Sequence, residues 1–124
     1  MTEYADNVFY ITDYLAGKEA VVPDSCFVFY ARSATQKIKA YTGSNVDENN
    51  IKDEVKMCCC EIAELLYKHE QMSNQTDGIT SESVAGWSRS YESADTKRER
   101  LIYAVKESVY KWLGGTGLLY RGLN

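Results

Sequence analysis

The sequence predicts a mainly α protein: a small helical bundle with a protruding loop or β-hairpin and an extended C-terminal arm. Three observations carry this reading. Apolar residues recur at steps of three and four in several separate stretches, the spacing of one helix face. Residues 84–91 instead alternate with period two, the rhythm of extended chain. The chain after Gly114-Gly115-Thr116-Gly117 is apolar, which is unusual for an end that would otherwise fray. At 124 residues the chain is expected to be one domain, 1–124. Its helical core is expected over about 8–69 and 96–113, its extended excursion over 78–93 and its arm over 114–124.

The first element is a short helix. Val8, Ile11 and Leu15 share one spacing, and Gly17 ends it. Gly17 to Val22 reads as a connector, because Pro23 biases Val22 away from helix. Pro23 then suits the first turn of a helix of about five turns, whose stripe is Phe27, Tyr30, Ala31, Ala34, Ile38 and Tyr41. Gly43 closes it.

The central helix is predicted over 48–69, capped by Asp47. Its stripe is Ile51, Val55, Cys58, Cys59, Ile62, Leu65 and Leu66, and Glu61 and Glu64 are expected to face water. Residues 70–78 have turn composition. Trp87, Arg89 and Tyr91 then fall on one side of an extended segment, with Gly86 at a bulge or bend. A lone hairpin is marginal in water, so this segment needs its own helices or a neighbour to lie against. Asp95 or Thr96 caps a last helix over 97–113, with Leu101, Ala104, Val105, Ser108, Val109 and Trp112 inward. Leu118, Leu119, Tyr120 and Leu123 follow and should dock, in cis or on another chain.

Composition narrows the function classes. No apolar run approaches the ~18–20 residues that cross a bilayer, so no membrane partner is expected. Met1 to Asp6 lacks the basic and apolar regions of a secretion signal. A single Pro and eight Gly argue against a long disordered linker. Charge is uneven. Residues 1–24 and 70–96 each carry a net −4, residues 25–69 are balanced, and residues 97–124 carry +4. That division suits head-to-tail packing of identical subunits, with ordinary surface scatter as the alternative.

Little in the sequence suggests chemistry. Cys58, Cys59 and Cys60 point about 100° apart on a helix and cannot converge on one metal, so no metal site is expected. They read as small apolar filler. His69 has no ligand spacing around it and sits where a helix dipole favours a cation. The glycine cluster at 114–117 lacks the GxxxxGK[ST] spacing and follows a helix C-terminus, which repels anions. With one His and no GxSxG elbow, no catalytic residue and no cofactor is assigned. Lys97, Arg98, Arg100, Lys106, Lys111 and Arg121 could meet nucleic-acid phosphates, but the chain is acidic overall.

Three segments, in order, resemble one family. The first is Gly17…Val22-Pro23…Phe27…Tyr30-Ala31…Ala34…Ile38…Tyr41-Thr42-Gly43. The second is Ile79-Thr80-Ser81-Glu82-Ser83-Val84-Ala85-Gly86-Trp87-Ser88-Arg89-Ser90-Tyr91, and the third Leu113-Gly114…Thr116-Gly117-Leu118-Leu119-Tyr120-Arg121-Gly122. The pattern is similar to the head–tail connector proteins of long-tailed bacteriophages and prophages, also called adaptor or head-completion proteins. The Thr-Gly-Leu-Leu-Tyr-Arg-Gly run is its most specific part, and the three cysteines lie outside it.

The resemblance implies a structural protein without catalysis, assembled in the bacterial host cytoplasm and located at the virion head–tail interface. Its copies, about twelve, would form a ring beneath the portal protein. The ring would extend the channel, complete the head and receive a downstream stopper or tail-side connector protein. Packaged DNA would pass through without specific recognition. On this reading Trp87, Arg89, Tyr91, Leu118, Leu119, Tyr120 and Arg121 are the subunit and portal interface, since Trp, Tyr and Arg dominate hot spots. Two alternatives stay open. One is a tail-terminator or stopper-like virion protein, a class richer in strands. The other is a small DNA-binding regulatory helical protein, motivated by the basic last helix.

Overall fold

A computed structural model describes the backbone of residues 3–43, 45–80 and 94–119, and the side chains of these residues except 73–80, 94 and 95. Helices account for the regular structure of the described residues, which contain no strand, in agreement with the predicted helical bundle. They are α1 (Asn7–Phe9), continued by a π-helical turn (Tyr10–Tyr14), α2 (Phe27–Thr42), α3 (Asp53–Thr80) and α4 (Ala94–Leu113). No described helix is long and apolar enough to cross a membrane.

Asp6 caps α1, its carboxylate accepting from the Phe9 N–H at 2.8 Å. The helix then widens: the Leu15 N–H reaches the Tyr10 carbonyl at 2.9 Å, five residues back. The wider turn leaves the Tyr10 and Tyr14 rings stacked with centroids 5.8 Å apart. Ala16 and Gly17, at φ 48° and 98°, turn the chain out of this helix.

Helix α2 buries the predicted stripe, Phe27, Tyr30, Ala31, Ala34 and Ile38, with Tyr41 half-buried beside it. Two threonines share that face. Thr35 and Thr42 are fully buried because each hydroxyl donates to the carbonyl four residues back, and Thr35 also accepts the Tyr4 N–H at 2.9 Å. Gly43 ends the helix at φ 59°, ψ −126°, a conformation open to glycine.

Helix α3 is the axis of the molecule. It packs against α2, against α4 and against the π-turn, while α2 and α4 touch each other only lightly. Cys58, Cys59 and Cys60 are all fully buried, so the axis is enclosed around most of its circumference at this level. Cys58 Sγ lies 3.9 Å from Ser108 Oγ on α4, and Cys59 Sγ lies 3.8 Å from Thr35 Oγ1 on α2. Cys60 points the third way, toward the N-terminal segment; burial raises its pKa, and Cys59, Glu64, Asp6 and Asp13 raise it further. Filler is therefore the right description of these residues, and the reason for small side chains is that three neighbours press on three successive positions.

The structure moves several boundaries. Helix α3 starts at Asp53, not 48, because Asp47 accepts the Asn49 N–H at 2.9 Å in a local turn instead of capping a helix. It also runs through 70–78, which sequence reasoning assigned to a turn. Residues 70–77 contain no Pro or Gly, Glu, Gln and Met are good helix formers, and extension keeps the preceding carbonyls paired. Residues 78–80 of the predicted excursion are thus helical, and its remainder, 81–93, lies outside the described residues. Helix α4 begins at Ala94, which puts Asp95 inside its first turn.

Candidate functional site

Two carboxylates one turn apart on α3 hold the bundle together. Tyr10 Oη donates to Glu64 Oε2 at 2.8 Å and accepts the N–H groups of Val21 and Val22 at 3.0 Å each. Tyr14 Oη donates to the other oxygen, Oε1, at 3.2 Å. Glu61 does the same for α4. Its Oε1 accepts from Ser108 Oγ at 2.6 Å and Trp112 Nε1 at 3.1 Å, and its Oε2 accepts from Lys111 Nζ at 2.7 Å. Burial disfavours the Glu61 charge, but the bonds from Lys111, Ser108 and Trp112 win and lower its pKa.

Sequence reasoning placed both glutamates in water; both are half-buried, and each of their oxygens accepts a bond from a side chain of another element. The signal that could have found them is Tyr10 with Tyr14, and Ser108 with Lys111 and Trp112, donors one turn apart opposite carboxylates one turn apart. Between these clamps lies an open cleft of about 360 Å³ lined by Tyr14, Glu61, Glu64, Lys68, Glu107 and Lys111. Each carboxylate oxygen already accepts at least one hydrogen bond, and these bonds tie α3 to the π-turn and to α4.

Other reactive groups are similarly quiet. Burial pushes the Cys58 thiol up to about 12 and the Cys59 thiol up to about 11, and raises that of Cys60, which keeps all three protonated and inert. No group of three or more metal-ligating side chains occurs among the described residues.

What the described surface offers is apolar contact area. Phe29 is 62% exposed on the outer face of α2, where Val28, Arg32, Ser33 and Gln36 line a groove beside it. Ile102, Tyr103 and Tyr110, between 48% and 63% exposed, run along the outward face of α4. Lys106 lies on the same face, its Nζ 5.9 Å from the Tyr110 ring centre. Beside them, Lys37, Ala40 and Tyr41 of α2 and Leu101, Ile102 and Val105 of α4 enclose a groove of about 200 Å³. Val8 and Ile11 of the N-terminal helix are exposed as well.

Residues 114–119, where the extended arm is predicted to begin, are anchored to the body. Thr116 Oγ1 donates to the Leu113 carbonyl at 2.8 Å, the Leu118 N–H returns to Thr116 Oγ1 at 3.2 Å, and Asn45 Nδ2 donates to the Leu118 carbonyl at 2.9 Å. Leu118 and Leu119 are half-buried against the core of their own chain. Of the predicted interface residues, these two are therefore seated in cis. Trp87, Arg89, Tyr91, Tyr120 and Arg121 lie outside the described residues. No protein-family model matches the chain, and no curated protein or solved structure matches it.

Proposed function

We propose that this protein is a structural connector of a long-tailed phage or prophage. Its copies form a ring between the portal protein of the filled head and the next tail-side protein, at the virion head–tail interface. The ring extends the DNA channel and completes the head, and the chain performs no catalysis. The reading rests on the ordered three-segment resemblance, above all the Thr116–Gly122 run. One structural observation supports it in particular. Leu118 and Leu119 fasten the start of the arm to the core and to Asn45, so Tyr120-Arg121-Gly122-Leu123-Asn124 continues from a fixed point on the body. A docking peptide benefits from such an origin, because an anchored segment loses less freedom on binding.

The anchor also defines the test. Deleting residues 115–124 would remove core contacts, whereas deleting 120–124 spares Leu118 and Leu119. The shorter deletion is expected to leave helical circular dichroism intact and to abolish attachment to portal-bearing heads. Normal attachment by the truncated chain would overturn the proposal.

The basic last helix favours a second reading, a small DNA-binding regulator. Lys111 is committed to Glu61 at 2.7 Å, which leaves fewer cations for phosphates. A salt-dependent gel shift at micromolar protein would support it, and no shift at low salt would remove it.

A further inference from the structure

The two exposed apolar surfaces nearest the charge extremes of the chain lie on opposite sides of α3. On α2, Arg32 and Thr35 meet Glu3 and Tyr4 on one flank, while Lys37 and Tyr41 reach toward α4 from the other. On α3, Cys60 and Glu64 face the N-terminal segment, and the positions facing α2 and α4 lie on either side of them. The groove where α2 meets α4 therefore opens away from the N-terminal segment.

These surfaces match in chemistry. The N-terminal surface presents Val8 and Ile11 flanked by Asp6 and Asp13, and residues 1–24 carry a net −4. Asp6 and Asp13 accept from a backbone N–H and from Thr12, and neither is ion-paired among the described residues. The opposite surface presents Ile102, Tyr103 and Tyr110 with Lys106 and Lys37, and Glu99 is the acid on that outward face. An ordinary surface helix is polar on its outward side; α4 carries Ile102, Tyr103 and Tyr110 there beside Glu99 and Lys106.

We infer that the occupant of the α2–α4 face is a second copy of this chain, bound through its N-terminal surface. Val8 and Ile11 meet the groove beside Ile102 and Tyr103, and Asp13 and Asp6 meet Lys106 and Lys37. Because the patches differ and lie on opposite sides, the contact is heterologous: each copy offers one patch to each of two neighbours, and the series closes or runs on according to its rotation. The inference deepens the proposed ring by naming its subunit contact, and it rests on that reading.

Zero-length carbodiimide coupling of a mixture of light and heavy-nitrogen full-length chains tests it. Such coupling joins only a carboxylate and an amine in contact, and mixed-isotope peptides report links between copies. Links between copies from Asp6 or Asp13 to Lys37 or Lys106 are expected. Charge reversal supplies a second measurement by sedimentation: Asp13→Lys and Lys106→Glu should each weaken self-association roughly tenfold, and the double variant should recover most of that loss. The inference fails if links between copies fall elsewhere or are absent, or if the double variant recovers nothing. Loss of head attachment on deleting 120–124, with links elsewhere, would keep the connector reading and remove only this contact. The expected links with attachment unaffected by that deletion would do the reverse.

Discussion

Tyr10 and Glu64, fifty-four positions apart, meet through a 2.8 Å hydrogen bond that fastens the N-terminal segment to the central helix. The same hydroxyl takes the Val21 and Val22 N–H groups, and the ring stacks on Phe27 with centroids 4.6 Å apart. One side chain thus joins the first helix, the connector, α2 and α3. Most of what can be predicted about stability follows from ties of this kind.

Tyr10→Phe keeps the ring and removes the oxygen. It leaves two backbone donors and one carboxylate oxygen short of a partner, which should cost about 2–3 kcal/mol. Urea denaturation of the variant against the parent measures this, and a loss under about 0.5 kcal/mol would contradict the role given to the hydroxyl.

Acid should weaken the clamp on α4. Glu61 has a lowered pKa in the folded chain, so the unfolded chain binds its proton first as pH falls. The stabilisation is complete above the ordinary value of 4.5 and disappears as pH drops through the folded value. Glu61→Gln should therefore flatten the acid limb of a urea-midpoint-against-pH curve. A limb of unchanged slope would show that Glu61 carries none of it.

Alkali should act through the opposite sign. Burial raises Tyr10 and Tyr30 to about 12, Cys58 to about 12 and Cys59 to about 11, from ordinary values of 10.0 and 9.0. These groups stabilise fully below the unfolded values and cease to do so as pH rises through the folded ones. Tyrosinate absorbance and helical circular dichroism should change together between about pH 10 and 12. Titration of all tyrosines with the helix signal unmoved would refute this.

A thiol reagent should separate the cysteines. Cys26 is half-exposed and Cys58, Cys59 and Cys60 are buried, so the folded chain should take up one label quickly and the urea-unfolded chain four. Enlarging any of the three buried thiols to Leu should destabilise by about 1–3 kcal/mol, because each faces a different packed neighbour.

Ala16→Gly should stabilise the chain by roughly 0.5–1 kcal/mol, since Ala16 stands at φ 48° where only glycine is unstrained. A fall in thermal midpoint would show that the Ala16 methyl makes contacts worth more than that strain.

The helices were legible where one face is buried and the other wet. Phe27, Tyr30, Ala34 and Ile38 repeat cleanly, and α2 ends at the glycine that the sequence marks. Helix α3 was harder because it has no single buried face. Glu61 borders the apolar stripe and Glu64 falls opposite it, so both look solvent-facing, and only the tertiary arrangement brings Tyr10, Tyr14 and Ser108 to them. Three buried cysteines in a row were the clue to such an enclosed axis. The continuation through 70–80 was missed because weak local propensity yields to the cooperativity of a helix already formed.

The enclosure of α3 has a consequence for biosynthesis. The flank that carries Cys58 and Glu61 packs against α4, which is translated after it. A nascent chain emerging from the ribosome thus shows chaperones and proteases that side of α3 until residues 94–113 are made, and products stalled before residue 94 should be cleared rather than accumulate.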